Sequence, residues 1–182
     1  MRRALLALLA LLAQPALAAF DVAALMQQLA QTQEVKAPFV ERKFSAVLAV
    51  PIDSSGTLVY RRPDLVEKIV AKPRPERFRI LKDEVIVERG GKEQRIALAS
   101  QPVLAAFAAS LRGVLAGDAA VLQKFFRLKV AGDERAWTLE LTPANDAVAG
   151  HVERITVAGR GGRVEKIDTL EPTGDRTLLE VH

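Results

Sequence analysis

The 182-residue chain has no cysteine, two histidines, one tryptophan and one tyrosine. Each shortage removes a class of function. Without cysteine there is no thiol nucleophile, no disulfide staple and no attachment point for the lipid of an exported lipoprotein, so the core alone must hold the fold together. His151 and His182 lack a convincing ligand partner two to four residues away, which leaves no metal or haem set. Aromatics make up 5% of the chain, too few for base-stacking platforms. Charges are interleaved, as in RRPDLVEK and GGKEQR, and form no basic tract of the kind that many phosphate contacts require. Nucleic acid is therefore not an expected partner. The serines have no G-x-S-x-G elbow, and Gly159-Arg160-Gly161-Gly162 lies between strands with no helix after it, so it is no phosphate loop. Carboxylates sit on strand faces opposite the apolar ones, and nothing marks a catalytic pair. No catalytic residue, metal or cofactor is nominated, and an enzyme is the least supported class.

What is present begins with MRRALLALLALLAQPALAAF. Arg2 and Arg3 precede an uncharged apolar run, and small residues surround Ala18 and Ala19, which is the order of a cleaved secretory signal. The run is too short to cross a bilayer core of roughly 30 Å as a helix, and no later run is long enough. Residues 1–19 are expected to be the signal and 20–182 a single domain. Losing Arg2 and Arg3 takes the formal charge from +4 to +2.

FDVAALMQQLAQTQEV, residues 20–35, reads as an amphipathic helix with Asp21 as N-cap. The period then changes to two. APFVERKFSAVLAVP contains short extended runs, with a bulge or irregular turn expected between Phe39 and Phe44 because the two are not on one alternation. IDSSG reads as a turn, GTLVYRR as a strand with Leu58 and Tyr60 on one face, and LVEKIVAKP and RFRIL as further strands. EVIVERGGKEQRIAL is a hairpin about Gly90-Gly91. Helical spacing returns in SQPVLAAFAASLRGVLAG, and Asp118 caps a second, shorter helix, DAAVLQKFF. RLKVAGDERAWTLELTP and VERITVAGRGGRVEKIDTL are hairpins, and GDRTLLEVH is a last strand.

Helix, antiparallel strands, a helical interlude and more antiparallel strands imply one large curved sheet. Its inner face is covered by the helices. Such a sheet either buries a dry core or leaves room for a ligand, and periodicity does not separate the two.

Several features in order resemble the periplasmic outer-membrane lipoprotein carrier family, LolA. They are a signal, a first helix, the Phe-containing strand APFVERKFSAVL, the glycine-led strand GTLVYRRPDL that ends in arginine-proline, the step KPRPERFRI, and the strand WTLELTP. Val66 stands where the family's R-P-x-x-F pattern has an aromatic, and KDEVIVERGGK replaces an Asp-Gly step. The resemblance implies an α+β fold, an incomplete, strongly curved antiparallel β-barrel under a helical lid. Its apolar interior would receive the acyl chains of lipoproteins. An inner-membrane donor complex loads the cargo and an outer-membrane acceptor removes it, and the carrier acts as a monomer in the periplasm. Arg62 takes the place of the family's arginine before proline, which is implied to latch the lid to the sheet. Expected cavity-lining residues are Phe39, Phe44, Leu58, Tyr60, Phe78 and Trp137, with Val103, Phe107, Leu111 and Phe125 on the lid. Two alternatives stay open: a carrier of another acylated lipid or glycolipid, and a non-transporting lipid-sensing or protein-interaction module.

Overall fold

Residues 20–182 are described by a computed structural model, and the expected signal at 1–19 lies outside the described residues. Asp21 starts helix α1 (Val22–Leu29) by accepting a hydrogen bond from the Ala24 main-chain nitrogen at 2.9 Å. Leu25, Met26 and Leu29, one helical stripe, are buried. The helix stops at Leu29 and does not reach Val35 as its sequence suggested. Glu34 and Val35 already belong to strand β1 (Glu34–Phe44), where Val35, Ala37 and Phe39 face Tyr60, Leu58 and Gly56 of β2 (Ile52–Arg61). Pairing along a whole strand outweighs the helical preference of a few glutamines.

Two further expectations need correction here. Strand β1 is continuous from Glu34 to Phe44, with no bulge. Phe39 and Phe44 simply point to opposite faces, as odd and even positions of a strand must. IDSSG is not a turn but the start of β2, so the hairpin tip falls earlier, at residues 45–51.

The remaining strands are β3 (Leu65–Lys72), β4 (Glu76–Ile80), β5 (Glu84–Arg89), β6 (Lys92–Ala97), β7 (Phe126–Asp133), β8 (Ala136–Pro143), β9 (Arg154–Arg160), β10 (Arg163–Leu170) and β11 (Arg176–Val181). They form one sheet in the order β6-β5-β4-β3-β2-β1-β11-β10-β9-β8-β7, with every pairing antiparallel. The first and last strands meet at its centre, and β6 and β7 stay apart, so the barrel is incomplete. Register shifts at Ser55/Gly56 and Val164/Lys166 add local bend and twist. At Gly56 a Cβ would lie 1.8 Å from the Ile69 carbonyl oxygen, so only glycine allows β2 and β3 to approach this closely at the register shift.

The outer face is held by cross-strand ion pairs such as Arg61–Glu34, Arg77–Glu67 and Arg79–Glu93. The inner face is apolar and covered by α2 (Pro102–Ala116) and α3 (Ala119–Gln123), with a fourth helix, α4 (Asp146–Ala149), between β8 and β9. Proline at the first position of α2 and the Asp118 cap of α3 follow the sequence pattern. Asn145 caps α4, which no apolar period announced. Gly117 ends α2 with φ 66°, and a Cβ there would lie 2.2 Å from the Met26 carbonyl oxygen and 2.6 Å from the Ala30 nitrogen. Glycine thus lets the end of α2 dock onto the end of α1.

Candidate functional site

Between α2 and the sheet lies a cavity of about 290 Å³. Its roof is Leu104, Phe107, Leu111 and Val114, spaced so that all four fall on one face of α2. Its floor runs across the sheet from Phe78 and Ile80 of β4 to Leu141, Ile155, Val157, Ile167 and Leu179 on the other side. At one end the lining turns polar, with Glu41, Lys68, Thr169, Glu171 and Thr177.

Lys68 and Glu41 form an ion pair at 2.5 Å, and both side chains are about four-fifths buried, with 21% and 19% exposed. Ser54 donates to the second Glu41 carboxylate oxygen at 3.2 Å, and the Lys68 ammonium sits 5.2 Å from the Phe39 ring centre. Inward charges were not expected. The signal was nevertheless in the strands: Lys68 shares its parity with Val66 and Val70, and Glu41 with Phe39, all of them buried. The two charges reach each other across β2, from the inner faces of β1 and β3, and the pair offsets part of the cost of removing them from water.

At the other end of the sheet, two arginine side chains tie helices to it. Arg62 follows β2 directly, and its main-chain nitrogen donates to the Gln33 oxygen at 3.0 Å. Its Nη1 donates to the main-chain oxygen of Ala30, the C-cap of α1. Carbonyls at a helix C-terminus have no partner within the helix and carry the negative end of its dipole, so a guanidinium there is doubly favoured. Sequence reasoning overlooked Arg112, a lone cation on the apolar helix α2. Its Nη1 donates to the Leu81 and Lys82 carbonyl oxygens of the β4–β5 turn, both at 3.0 Å. Arg61 by contrast is exposed and pairs with Glu34 at 3.0 Å.

Of the expected lining residues, Phe78, Phe107 and Leu111 meet at the cavity. Phe39, Leu58 and Tyr60 do not line it; they belong to an adjoining packed cluster with Val66 and Leu115, against which the cavity residues Phe78, Ile80 and Leu111 pack. Trp137 is 2% exposed in the cluster under α1, its indole nitrogen donating to the Gly161 oxygen at 2.8 Å. Phe125 packs against that same cluster, and Val103 is half-buried outside the lining. Phe44 is 38% exposed on the outer face, because the unbroken strand turns it away from the interior. Phe44 apart, alternation identified the inward face, but which inward residues touch a void depends on where α2 lies. The Tyr60 hydroxyl is buried and has no hydrogen-bond partner among the described residues. Burial pushes it above the ordinary phenol range, against a smaller opposite effect of Arg62.

Residues 13–181 match the sequence model of the family described as outer membrane lipoprotein carrier protein LolA-like. The chain belongs to that family. Solved structures similar to this LolA-like chain include a LolA superfamily protein from Nitrosomonas europaea, 11% identical, with a TM-score of 0.47 over 89% of this chain and 91% of that one. A putative outer membrane lipoprotein-sorting protein domain from Vibrio parahaemolyticus is 13% identical, with a TM-score of 0.49 over 88% of each chain. The MucA/MucB complex of Pseudomonas aeruginosa gives 14% and 0.48 over 88% of this chain and 55% of that one. No curated protein matches the chain. Among the described residues, no group of three metal-ligating side chains occurs, and no helix is long and apolar enough to cross a membrane.

Proposed function

We propose that this LolA-like protein is a soluble periplasmic carrier. It takes the acyl chains of lipoproteins into the cavity beneath α2 and moves them from the inner to the outer membrane. The observation that carries the reading is the cavity itself: apolar on roof and floor, polar at one end, and roofed by a helix that side-chain hydrogen bonds hold in place. Burying hydrocarbon contributes about 0.8 kcal/mol per methylene. Acyl chains fit the apolar part, and the Glu41–Lys68 end suits the ester and amide groups at the head of an acylated cysteine.

At about 290 Å³ the cavity is at the small end of ligand pockets, roughly 300–1,000 Å³. Several chains require α1 and α2 to lift. The hydrogen bonds of Arg62 and Arg112 stabilise the empty closed state, and cargo must compete with that state. The net affinity is then lower than burial alone implies, which favours release to an acceptor.

The test is native mass spectrometry of the mature protein purified from its own host, with lipid analysis of any adduct. An acylated peptide or lipoprotein is the expected adduct. A glycolipid or fatty acyl adduct moves the cargo to another lipid class. Apo protein alone, with no uptake of a triacylated peptide, overturns the carrier reading.

A further inference from the structure

Strands β1 and β2 run on past the cavity-lining Glu41 to a hairpin tip unlike the rest of the surface. Phe44 to Ile52, FSAVLAVPI, is nine residues without a charge. Val47 is 87% exposed, Val50 74%, and Leu48 and Ile52 49% each. Val40 and Phe44 extend the apolar surface down the outer face. The tip is held in place: the Asp175 carboxylate of the β10–β11 turn accepts from the Ser45 hydroxyl at 3.1 Å and from the Ala46 nitrogen at 2.9 Å. Below it, Arg42 and Asp53 close the hairpin at 2.8 Å.

We propose that this tip inserts into a lipid bilayer and brings the polar end of the cavity to the membrane surface. Two features select a bilayer over a protein groove. Apolar side chains surround the tip, Val40 and Phe44 on the outer face, Ile52 on the inner face and Val47 and Val50 at the turn. A protein groove covers one side of such a projection, whereas a bilayer receives all of them. The charges nearby also fit. Arg42 is neutralised by Asp53 and Arg176 by Asp168, while among the described residues Lys43, Lys72 and Arg74 have no ion-pair partner. Lys43 is the last but one residue of β1, Lys72 ends β3 beside β2, and Arg74 lies in the β3–β4 turn, all near the base of the tip. Acids unpaired among the described residues are also close, Asp175 against the tip and Glu171 at the cavity rim, so Lys72 and Arg74 mark the β3 side of the insertion as the one that meets anionic headgroups.

The placement relative to the cavity extends the proposed carrier function and rests on it; the insertion itself does not. Glu41 and Thr177 line the cavity, and the next residues of β1 lead into the tip. A chain leaving the cavity there would enter the bilayer with a short path through water.

The experiment is flotation of the mature chain with vesicles of phosphatidylethanolamine and phosphatidylglycerol, run beside uptake of a fluorescent fatty acid in solution. The Val47→Ser/Val50→Ser double variant changes only exposed side chains and is expected to fold and to take up the fatty acid like the parent. Its vesicle binding is expected to fall at least tenfold, and parent binding is expected to weaken on uncharged phosphatidylcholine vesicles. Equal flotation of parent and variant overturns the proposal. So does a parent that takes up fatty acid yet floats only with vesicles carrying an added protein acceptor; that outcome leaves the carrier reading standing. Tip-dependent flotation without fatty acid uptake supports insertion and sinks the carrier reading instead.

Discussion

Arg62, just after β2, donates from Nη1 to the main-chain oxygen of Ala30, so a side chain of the sheet completes the last turn of the first helix. The contact joins two elements separated in sequence by all of β1, and it lies at the end of the sheet away from the polar rim of the cavity. Its strength should decide how readily the lid lifts.

Arg62→Ala is expected to lower the stability of the empty protein by about 1.5–3 kcal/mol, the range for hydrogen bonds to a charged group. It should also tighten binding of a fatty acid probe, because the closed competitor is weakened. Arg112→Ala should act in the same direction through the β4–β5 turn. Urea unfolding and probe titration measure both quantities. Lower stability with unchanged affinity would make these arginines plain structural ties.

Leu111→Trp adds bulk to the roof of the cavity. The folded state has space for it, so overpacking should cost no more than about 1–3 kcal/mol, while fatty acid uptake should fall severalfold. Retained uptake would place the acyl site elsewhere.

Lys68→Met leaves Glu41 without its cation in a largely buried setting. A loss of about 3 kcal/mol or more is expected, and the Glu41→Gln/Lys68→Met double variant should recover much of it. Additive losses in the double-mutant cycle would mean that the two charges do not act as a pair.

Tyr60→Phe should be neutral or stabilising by about 1 kcal/mol, since the hydroxyl it removes is buried without a partner. A clear destabilisation would reveal a hydrogen bond to that hydroxyl. The parent should also lose stability as pH rises past about 10. Burial raises the folded Tyr60 pKa, so the unfolded chain gives up this proton first. The phenylalanine variant should lack that component.

Asp168 shapes the acid side. Its hydrogen bond to Arg176 holds the carboxyl below the usual carboxylate range, against a smaller opposing effect of burial. A lowered folded pKa contributes stability that is present above the unfolded value of about 4 and is lost as pH falls through the folded value. Asp168→Asn should therefore weaken the protein at neutral pH and flatten the acid decline. Urea midpoints from pH 6 to pH 2 that run parallel for parent and variant would exclude this role.

Most of the element order, the inward face of most strands and the family resemblance were determined by the sequence alone; α4 and the outward turn of Phe44 were not. Alternation and capping are local physics: Leu58 and Tyr60 share a face because a strand has period two, and Asp118 caps α3 because its side chain reaches a nitrogen three residues on. The arginine before Pro63 was also legible, but its acceptor was not, because Ala30 is brought to it only when α1 packs across the end of the sheet. The cavity was the least legible feature. Phe39 and Phe78 are both inward aromatics in β-strands, yet one is packed solid and the other lines a void, and only the line α2 takes over the sheet separates them. That line depends on long-range contacts, Gly117 against Met26 and Arg112 against the β4–β5 turn, that no local pattern encodes.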